Sequence, residues 1–160
     1  MITIEEELKI IAKGAAEIID TNDLKRKLQK SRNEGRPLIA KLGLDPSMPD
    51  IHIGHAVVLR KLKQLQDLGH QAVLIIGDFT GMIGDPTGKS KMRKQLTKEQ
   101  VLENARTYEE QILKILNPQQ TKVVFNGEWL SKLNFRDVID LAAKCTVARM
   151  LERDDFENRF

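Results

Sequence analysis

The sequence predicts an α/β fold built on a parallel sheet, and three observations predict it. Short apolar runs at 37–44 (PLIAKLGL), 71–77 (QAVLIIG) and 121–125 (TKVVF) have the length and composition of buried strands. Stretches of helical periodicity separate them, and strands alternating with helices imply parallel pairing through right-handed crossovers. Two loops of unusual composition, 43–55 and 77–93, follow directly after strands. Open parallel sheets bind their ligands in that position, at the carboxyl ends of the strands.

The elements follow in order. Ile4, Leu8, Ile11, Ala12, Ala15, Ile18 and Ile19 recur at helical spacing and predict one amphipathic helix over 3–20. Thr21-Asn22 offers the cap of a second helix, with Leu24 and Leu28 on one face and Gly35 as its stop. After the first strand, 45–50 (DPSMPD) reads as a turn, because two prolines prevent a continuous helix or strand. Ala56, Leu59, Leu62, Leu65 and Leu68 then predict a helix over 51–69, capped by Asp50 and stopped by Gly69. The second strand leads into a loop punctuated by Gly77, Gly81, Gly84 and Gly88. Thr97 and Gln100 form the capping box of a helix over 97–116, which Asn117-Pro118 ends. The third strand follows, and 128–159 read as short helices. Three strands are few for a doubly wound sheet.

Composition excludes several classes. The chain has 160 residues, the length of about one domain. With 41% apolar and 31% charged residues it reads as a globular chain, with no apolar run long enough to span a membrane. The single cysteine, Cys145, excludes a disulfide framework and reads as a buried small residue. Three acidic residues in the first seven argue against a signal peptide and for a cytoplasmic protein. The net charge of +3 is unevenly spread: residues 21–41 balance at +5 and residues 83–98 at +4. Such stretches suit a polyanionic partner or, more simply, solvated helix faces.

Two loops carry candidate chemistry. In His52-Ile53-Gly54-His55, two histidines three apart share one face of a helix's first turn. The helix start adds unpaired N–H groups and partial positive charge, and Gly54 leaves the backbone open to a phosphate. A nucleotide phosphate site, a structural pair and a metal site all remain open, although a metal lacks further clustered ligands. In the second loop, Gly88-Lys89-Ser90 invites a P-loop reading, but that motif requires glycine at position 83, which is Ile83. What remains is a flexible turn in which Asp85 suits an ammonium group and Lys89 and Arg93 suit phosphates. An ordinary charged loop tip fits the same pattern. Asp78 acquires no role.

These residues carry a resemblance. His52-Ile53-Gly54-His55 resembles the HIGH signature of class I aminoacyl-tRNA synthetases. Gly43-Leu44-Asp45-Pro46, Gln66-Asp67-Leu68-Gly69-His70, the run from Gly77 through Lys89, and the run from Thr146 through Phe156 are similar to bacterial tyrosyl-tRNA synthetases. The resemblance runs from about residue 20 to the end. It implies a Rossmann-like parallel sheet of the HUP type, first half only. N-terminal helices would occupy 1–35, the first half of the nucleotide-binding fold 36–125, and the start of a helical connecting, dimer-forming region 126–160. It implies a tyrosine–tRNA ligase that joins L-tyrosine to ATP as tyrosyl-adenylate and passes the tyrosyl group to tRNA(Tyr), using Mg²⁺ with ATP. His52 and His55 would hydrogen-bond the ATP phosphates, and Gly54 would pack against the adenosine. Gly43 and Asp45 would line the adenylate pocket. Thr80 and Asp85 would hold the tyrosine ammonium, and Lys89 and Arg93 would contact pyrophosphate.

Two departures stand out. One branch of the family has a phenol-contacting tyrosine where this chain has Lys41, which is assigned to the tyrosine pocket by position. The family's second half-fold, its KMSKS-type loop and its anticodon-recognising region have no counterpart in these 160 residues. A catalytic portion is the first expectation. A non-catalytic nucleotide- or RNA-binding half-domain, using the two basic stretches, is the alternative, and steep salt dependence without adenylate formation would mark it. A third reading, another HxGH nucleotidyltransferase, would turn over ATP without preferring tyrosine.

Overall fold

Helix α1 (Ile4–Ala12) starts on a reciprocal cap, in which Thr3 Oγ1 accepts the Glu6 amide and Glu6 Oε2 accepts the Thr3 amide. The computed structural model describes residues 2–83, 96–152 and 154–157, with backbone alone at 154 and 155. The helix expected to reach residue 20 stops eight residues earlier. The Lys61 ammonium donates to the carbonyls of Ile11 and Lys13, at 3.1 and 2.6 Å, and Gly14 turns the chain at φ +79°. With its last carbonyls satisfied from another helix, α1 needs no further turn, and Ile19 is exposed despite its helical spacing. Helix α2 (Thr21–Glu34) is capped by Asp20, whose Oδ1 accepts the Asp23 amide at 3.0 Å, rather than by Thr21 or Asn22. It ends at Gly35 in the left-handed region. Its basic run is engaged in ion pairs: Lys25 with Glu5, Arg26 and Lys27 with Asp23, Lys30 with Glu34, and Arg32 with Glu7. Solvated and paired helix faces therefore account for most of the first basic stretch.

Strand β1 (Ile39–Leu44) begins later than position 37. Pro37 has no amide to donate, and the Leu38 amide goes to His70 Nδ1 at 3.3 Å. Helix α3 (Ile53–Asp67), strand β2 (Gln71–Ile76), helices α4 (Thr80–Ile83) and α5 (Lys98–Ile112), and strand β3 (Thr121–Phe125) follow in chain order. The sheet order is β1-β2-β3, parallel throughout, with Ile39 opposite Gln71 and Ala72 opposite Thr121. Side chains alternate across it. Ala40, Leu42, Leu44, Ala72, Leu74 and Val123 face a core made with Leu59 and Leu62 of α3 and Tyr108, Ile112 and Leu116 in and after α5. β1 is an edge strand, and Ile39, Lys41 and Gly43 are exposed on its other face. The strand, expected to be buried, is thus half-buried.

Helix α5 carries the capping box read from the sequence: Thr97 Oγ1 accepts the Gln100 amide and Gln100 Oε1 accepts the Thr97 amide. Thr97→Ala is expected to cost about 1 kcal/mol in urea unfolding, and an unchanged midpoint would show the cap to be redundant. The C-terminal region forms α6 (Gly127–Leu130), α7 (Phe135–Ala142), α8 (Val147–Leu151) and α9 (Asp154–Glu157). Cys145, expected to be buried, is exposed in the turn between α7 and α8. Among the described residues no helix is long and apolar enough to cross a membrane.

A buried ionic cluster fixes the N-terminal helices. Glu7 is 4% exposed and His70 6%, with 3.0 Å between Glu7 Oε1 and His70 Nε2, and Arg32 pairs with the other carboxylate oxygen. Because His70 Nδ1 accepts the Leu38 amide, its ring proton sits on Nε2 and is donated to Glu7. One carboxylate thus joins α1, α2, the start of β1 and the turn between α3 and β2.

Candidate active site

The carboxyl ends of the three strands are tied together by side chains. Asp45 follows β1, Thr80 follows β2 and Asn126 follows β3. Thr80 Oγ1 donates to Asp45 Oδ1 at 2.6 Å and accepts from Asn126 Nδ2 at 2.9 Å. Asn126 Oδ1 accepts the Phe79 amide at 3.0 Å, and Asn126 is 8% exposed. The amide donor leaves the Thr80 hydroxyl proton a single direction, toward Asp45. Asp78, which had no role in the sequence, accepts the Gly127 amide at 2.7 Å and so caps α6 from across the sheet. Neither Asn126 nor Asp78 stood out in the sequence, and the only local signal was an Asn-Gly pair directly after a strand.

Gly77 lies inside this cluster. A Cβ there would stand 1.8 Å from Asp45 Oδ1 and 2.4 Å from Thr80 Oγ1. Gly77→Ala is therefore expected to break the Asp45–Thr80 bond and to cost roughly 1–3 kcal/mol by overpacking. Urea unfolding reads the cost, and a wild-type midpoint would show that the strand ends can part freely.

The two histidines meet at the start of α3. Asp50 was expected to cap this helix, but His52 occupies the cap. His52 Nδ1 accepts the Gly54 amide at 3.1 Å, and His55 Nδ1 accepts the His52 amide at 3.1 Å. The Asp50 carboxylate lies instead at 3.4 Å from Gln111 Nε2. The ring centroids of His52 and His55 are 4.0 Å apart, tilted by 36°. Since each Nδ1 accepts a backbone amide, each neutral ring carries its proton on Nε2. The helix start thus holds two ring N–H donors on adjacent, mutually tilted imidazoles. Gly54 has a reason beyond access, because a Cβ would come within 2.9 Å of the His52 ring. Burial, and then the nearby His52, hold the His55 pKa below its ordinary value. The edge of the Tyr108 ring supports His55, with centroids 5.7 Å apart.

The structure thus joins Asp45 to Thr80 and His52 to His55. Lys41 and Gly43 lie on the exposed face of β1, below Asp45. Asp85, Lys89 and Arg93 lie outside the described residues. Among the described residues no group of three His, Cys, Asp or Glu is placed to hold a metal ion.

Polar groups gathered at the strand ends of a parallel sheet, with a histidine-capped helix start after the first strand, make this a parallel α/β domain with its polar cluster where open sheets of this class hold their ligands. The chain belongs to the family of class I tRNA synthetases (W and Y), which matches residues 32–160. It is 68% identical over 160 residues to tyrosine–tRNA ligase 2 of Clostridium acetobutylicum, covering 100% of this chain and 40% of that protein. It is 64% identical over 157 residues to the tyrosine–tRNA ligase of Carboxydothermus hydrogenoformans, covering 98% of this chain and 38% of that protein. The chain therefore spans about 40% of the length of the curated relatives it matches. The solved structure of tyrosyl-tRNA synthetase from Archaeoglobus fulgidus, complexed with L-tyrosine, superposes with a TM-score of 0.71 at 22% identity, over 91% of this chain and 41% of that one. Tryptophanyl-tRNA synthetase from Plasmodium falciparum gives a TM-score of 0.62 at 18% identity, over 94% of this chain and 43% of that one. At those identities the structures attest the fold alone.

Proposed function

We propose that this chain carries the amino-acid-activating site of a tyrosine–tRNA ligase. The histidine pair carries the reading. Two Nε2–H donors, fixed by amides that occupy both Nδ1 atoms, suit the oxygens of a triphosphate on which charge builds up. High identity to tyrosine–tRNA ligases over the whole chain supports tyrosine as the amino acid.

In this reading the tyrosine carboxylate attacks the α-phosphorus of ATP. A carboxyl-oxygen–phosphorus bond forms, the bond to the bridging oxygen breaks, and pyrophosphate leaves. The protein supplies no covalent nucleophile; it positions the reactants and places donors where charge develops. His52 and His55 hold the phosphates, with Gly54 against the adenosine. Gly43 and Asp45 line the adenylate pocket, and Thr80 fixes the Asp45 carboxylate while facing the tyrosine ammonium together with Asp85. Lys41 borders the tyrosine pocket, and Lys89 and Arg93 meet the departing pyrophosphate. Mg²⁺ would be held chiefly by the ATP phosphates, whose charge it would neutralise, since the described residues group no set of ligands for it. The tyrosyl group then passes to tRNA(Tyr). Residues 36–125 hold the activating half-fold after helices over 1–35. The region 126–160 begins a connecting, homodimer-forming segment, a role supported by the exposed Phe135, Val138, Ile139 and Leu141 of α7. The setting is cytoplasmic.

Tyrosine-dependent exchange of pyrophosphate into ATP, measured on the 160-residue chain, tests the reading. Exchange that requires tyrosine supports it. ATP turnover indifferent to the amino acid overturns it, and a folded chain without exchange overturns activation by these residues alone.

A further inference from the structure

The segment between β1 and α3 contains Pro46 and Pro49, neither of which has an amide, and it pairs with no strand. Something else must hold it, because it ends at His52. The polar side chains that do so come from one stripe of α5. Asn104 Nδ2 donates to the Pro46 carbonyl at 3.0 Å, and Thr107 Oγ1 donates to the Pro49 carbonyl. Gln111 does more than either. Its Nε2 donates to the Pro49 carbonyl at 3.1 Å and lies 3.4 Å from Asp50 Oδ1, and its Oε1 accepts the Ile51 amide at 3.2 Å. Its Nε2 also donates to the Thr107 carbonyl at 3.1 Å within α5, so its two N–H groups are spent on Thr107 and Pro49. The side chain thus bridges its own helix to Pro49 and Ile51, the latter adjacent to His52. Residues 104, 107 and 111 fall on one face of a helix. Tyr108, on the same side, is 1% exposed and stands edge-on to His55.

We infer that Gln111 is a positioning residue, which sets the backbone at 49–51 so that the His52–His55 pair keeps its reciprocal cap. The chain of contacts is short. The Ile51 amide, fixed by Gln111, precedes the extended His52 backbone at φ −114° and ψ 176°. That conformation aims the His52 amide at His55 Nδ1. If the 49–51 segment swings, the His52 amide turns away, His55 loses its donor, and both Nε2–H groups lose their direction. Gln111 reaches no reactant itself. Its catalytic meaning rests on the function proposed above, whereas its effect on the rings does not.

The chain has only three histidines, so its histidine NMR spectrum reads the inference directly. His70, held by Glu7 and Leu38 at the other end of the sheet, reports global folding. In Gln111→Met, which keeps the side chain's length but neither hydrogen-bonding group, the ring signals of His52 and His55 are expected to shift and broaden. The nuclear Overhauser contact between the two rings disappears, and His70 stays in place. In pyrophosphate exchange the same variant loses roughly 10–100-fold in kcat through misplacement, with the tyrosine KM unchanged. Unmoved His52 and His55 signals overturn the inference. If all three histidines move, the milder Gln111→Glu decides, since it removes the donor to Pro49 and keeps an acceptor for the Ile51 amide. A shift confined to His52 and His55 upholds the inference, and unmoved rings overturn it. A wild-type chain that shows no exchange counts against the proposed function and leaves the ring measurement to stand by itself.

Discussion

With the function proposed above, His55→Ala is expected to lower the rate of tyrosyl-adenylate formation by about 10²–10³-fold, the cost of removing one preorganised donor at a developing charge, and to leave tyrosine affinity nearly unchanged. The asymmetry follows from place. His55 sits at the start of α3 with its Nδ1 occupied by the His52 amide, so in the proposed reading its Nε2–H is the donor for phosphate, while Asp45 and Thr80, joined to each other, serve the amino acid. Single-turnover adenylate formation measures the rate and equilibrium dialysis the affinity; a normal single-turnover rate would remove His55 from the reaction. The pH dependence has a definite sign. The folded His55 pKa is held below the ordinary 6.5, by burial first and His52 second. As pH falls below that value, the unfolded chain takes up the proton first. The contribution of neutral His55 to stability is complete above about pH 6.5 and declines as pH drops toward the lowered folded value. Protonation at Nδ1 would also displace the His52 amide, so under the proposed function the exchange rate is expected to fall on the acid side along with the cap. A rate that rises on acidification through this range would contradict a neutral donor.

Glu7→Ala is expected to destabilise the fold by about 3 kcal/mol, the lower end of what removing one partner of a buried ion pair costs. The low end applies because the Arg32 side chain is 29% exposed and turns to water once its partner is gone. His70 has no such escape: its side chain is 7% exposed, its Nδ1 is committed to Leu38, and its Nε2–H is left without an acceptor. The loss loosens α1 and α2 from the sheet, so protease cleavage around residues 13–20 should accelerate. Glu7→Gln, which keeps an acceptor for His70 but removes the charge facing Arg32, is expected to cost less. Urea unfolding of both variants tests the cluster, and equal small losses under about 1 kcal/mol would show that α1 is held by apolar packing alone.

The parts of the fold legible in the sequence are those fixed by near neighbours. β3 falls on the residues expected, and β1 and β2 lie within theirs, because apolar runs of that length have few other conformations available. The Thr97–Gln100 box formed as read, since both partners lie within one turn. The histidine pair was legible for the same reason: its two rings and both capping amides lie within four residues. The misreadings have distant causes. The helix over 3–20 is cut short by Lys61, 48 residues beyond Lys13. Asp50 leaves the cap of α3 to His52 and faces Gln111, 61 residues away.

By itself, then, the sequence determined the alternation of strands and helices, the sites of the local caps, and the signature that places the chain among class I synthetases. Each rests on interactions within a turn or two, or on a motif whose residues are contiguous. Only the tertiary structure decided that Asn126 would orient Thr80 from 46 residues away, that Asp78 would cap α6 from 49, and that Gln111 would hold Ile51 from 60. The physical reason is that a side-chain amide or carboxylate carries no periodicity. Its partner is whichever unpaired backbone group the packed sheet brings to it, and the parallel topology brings the ends of all three strands together.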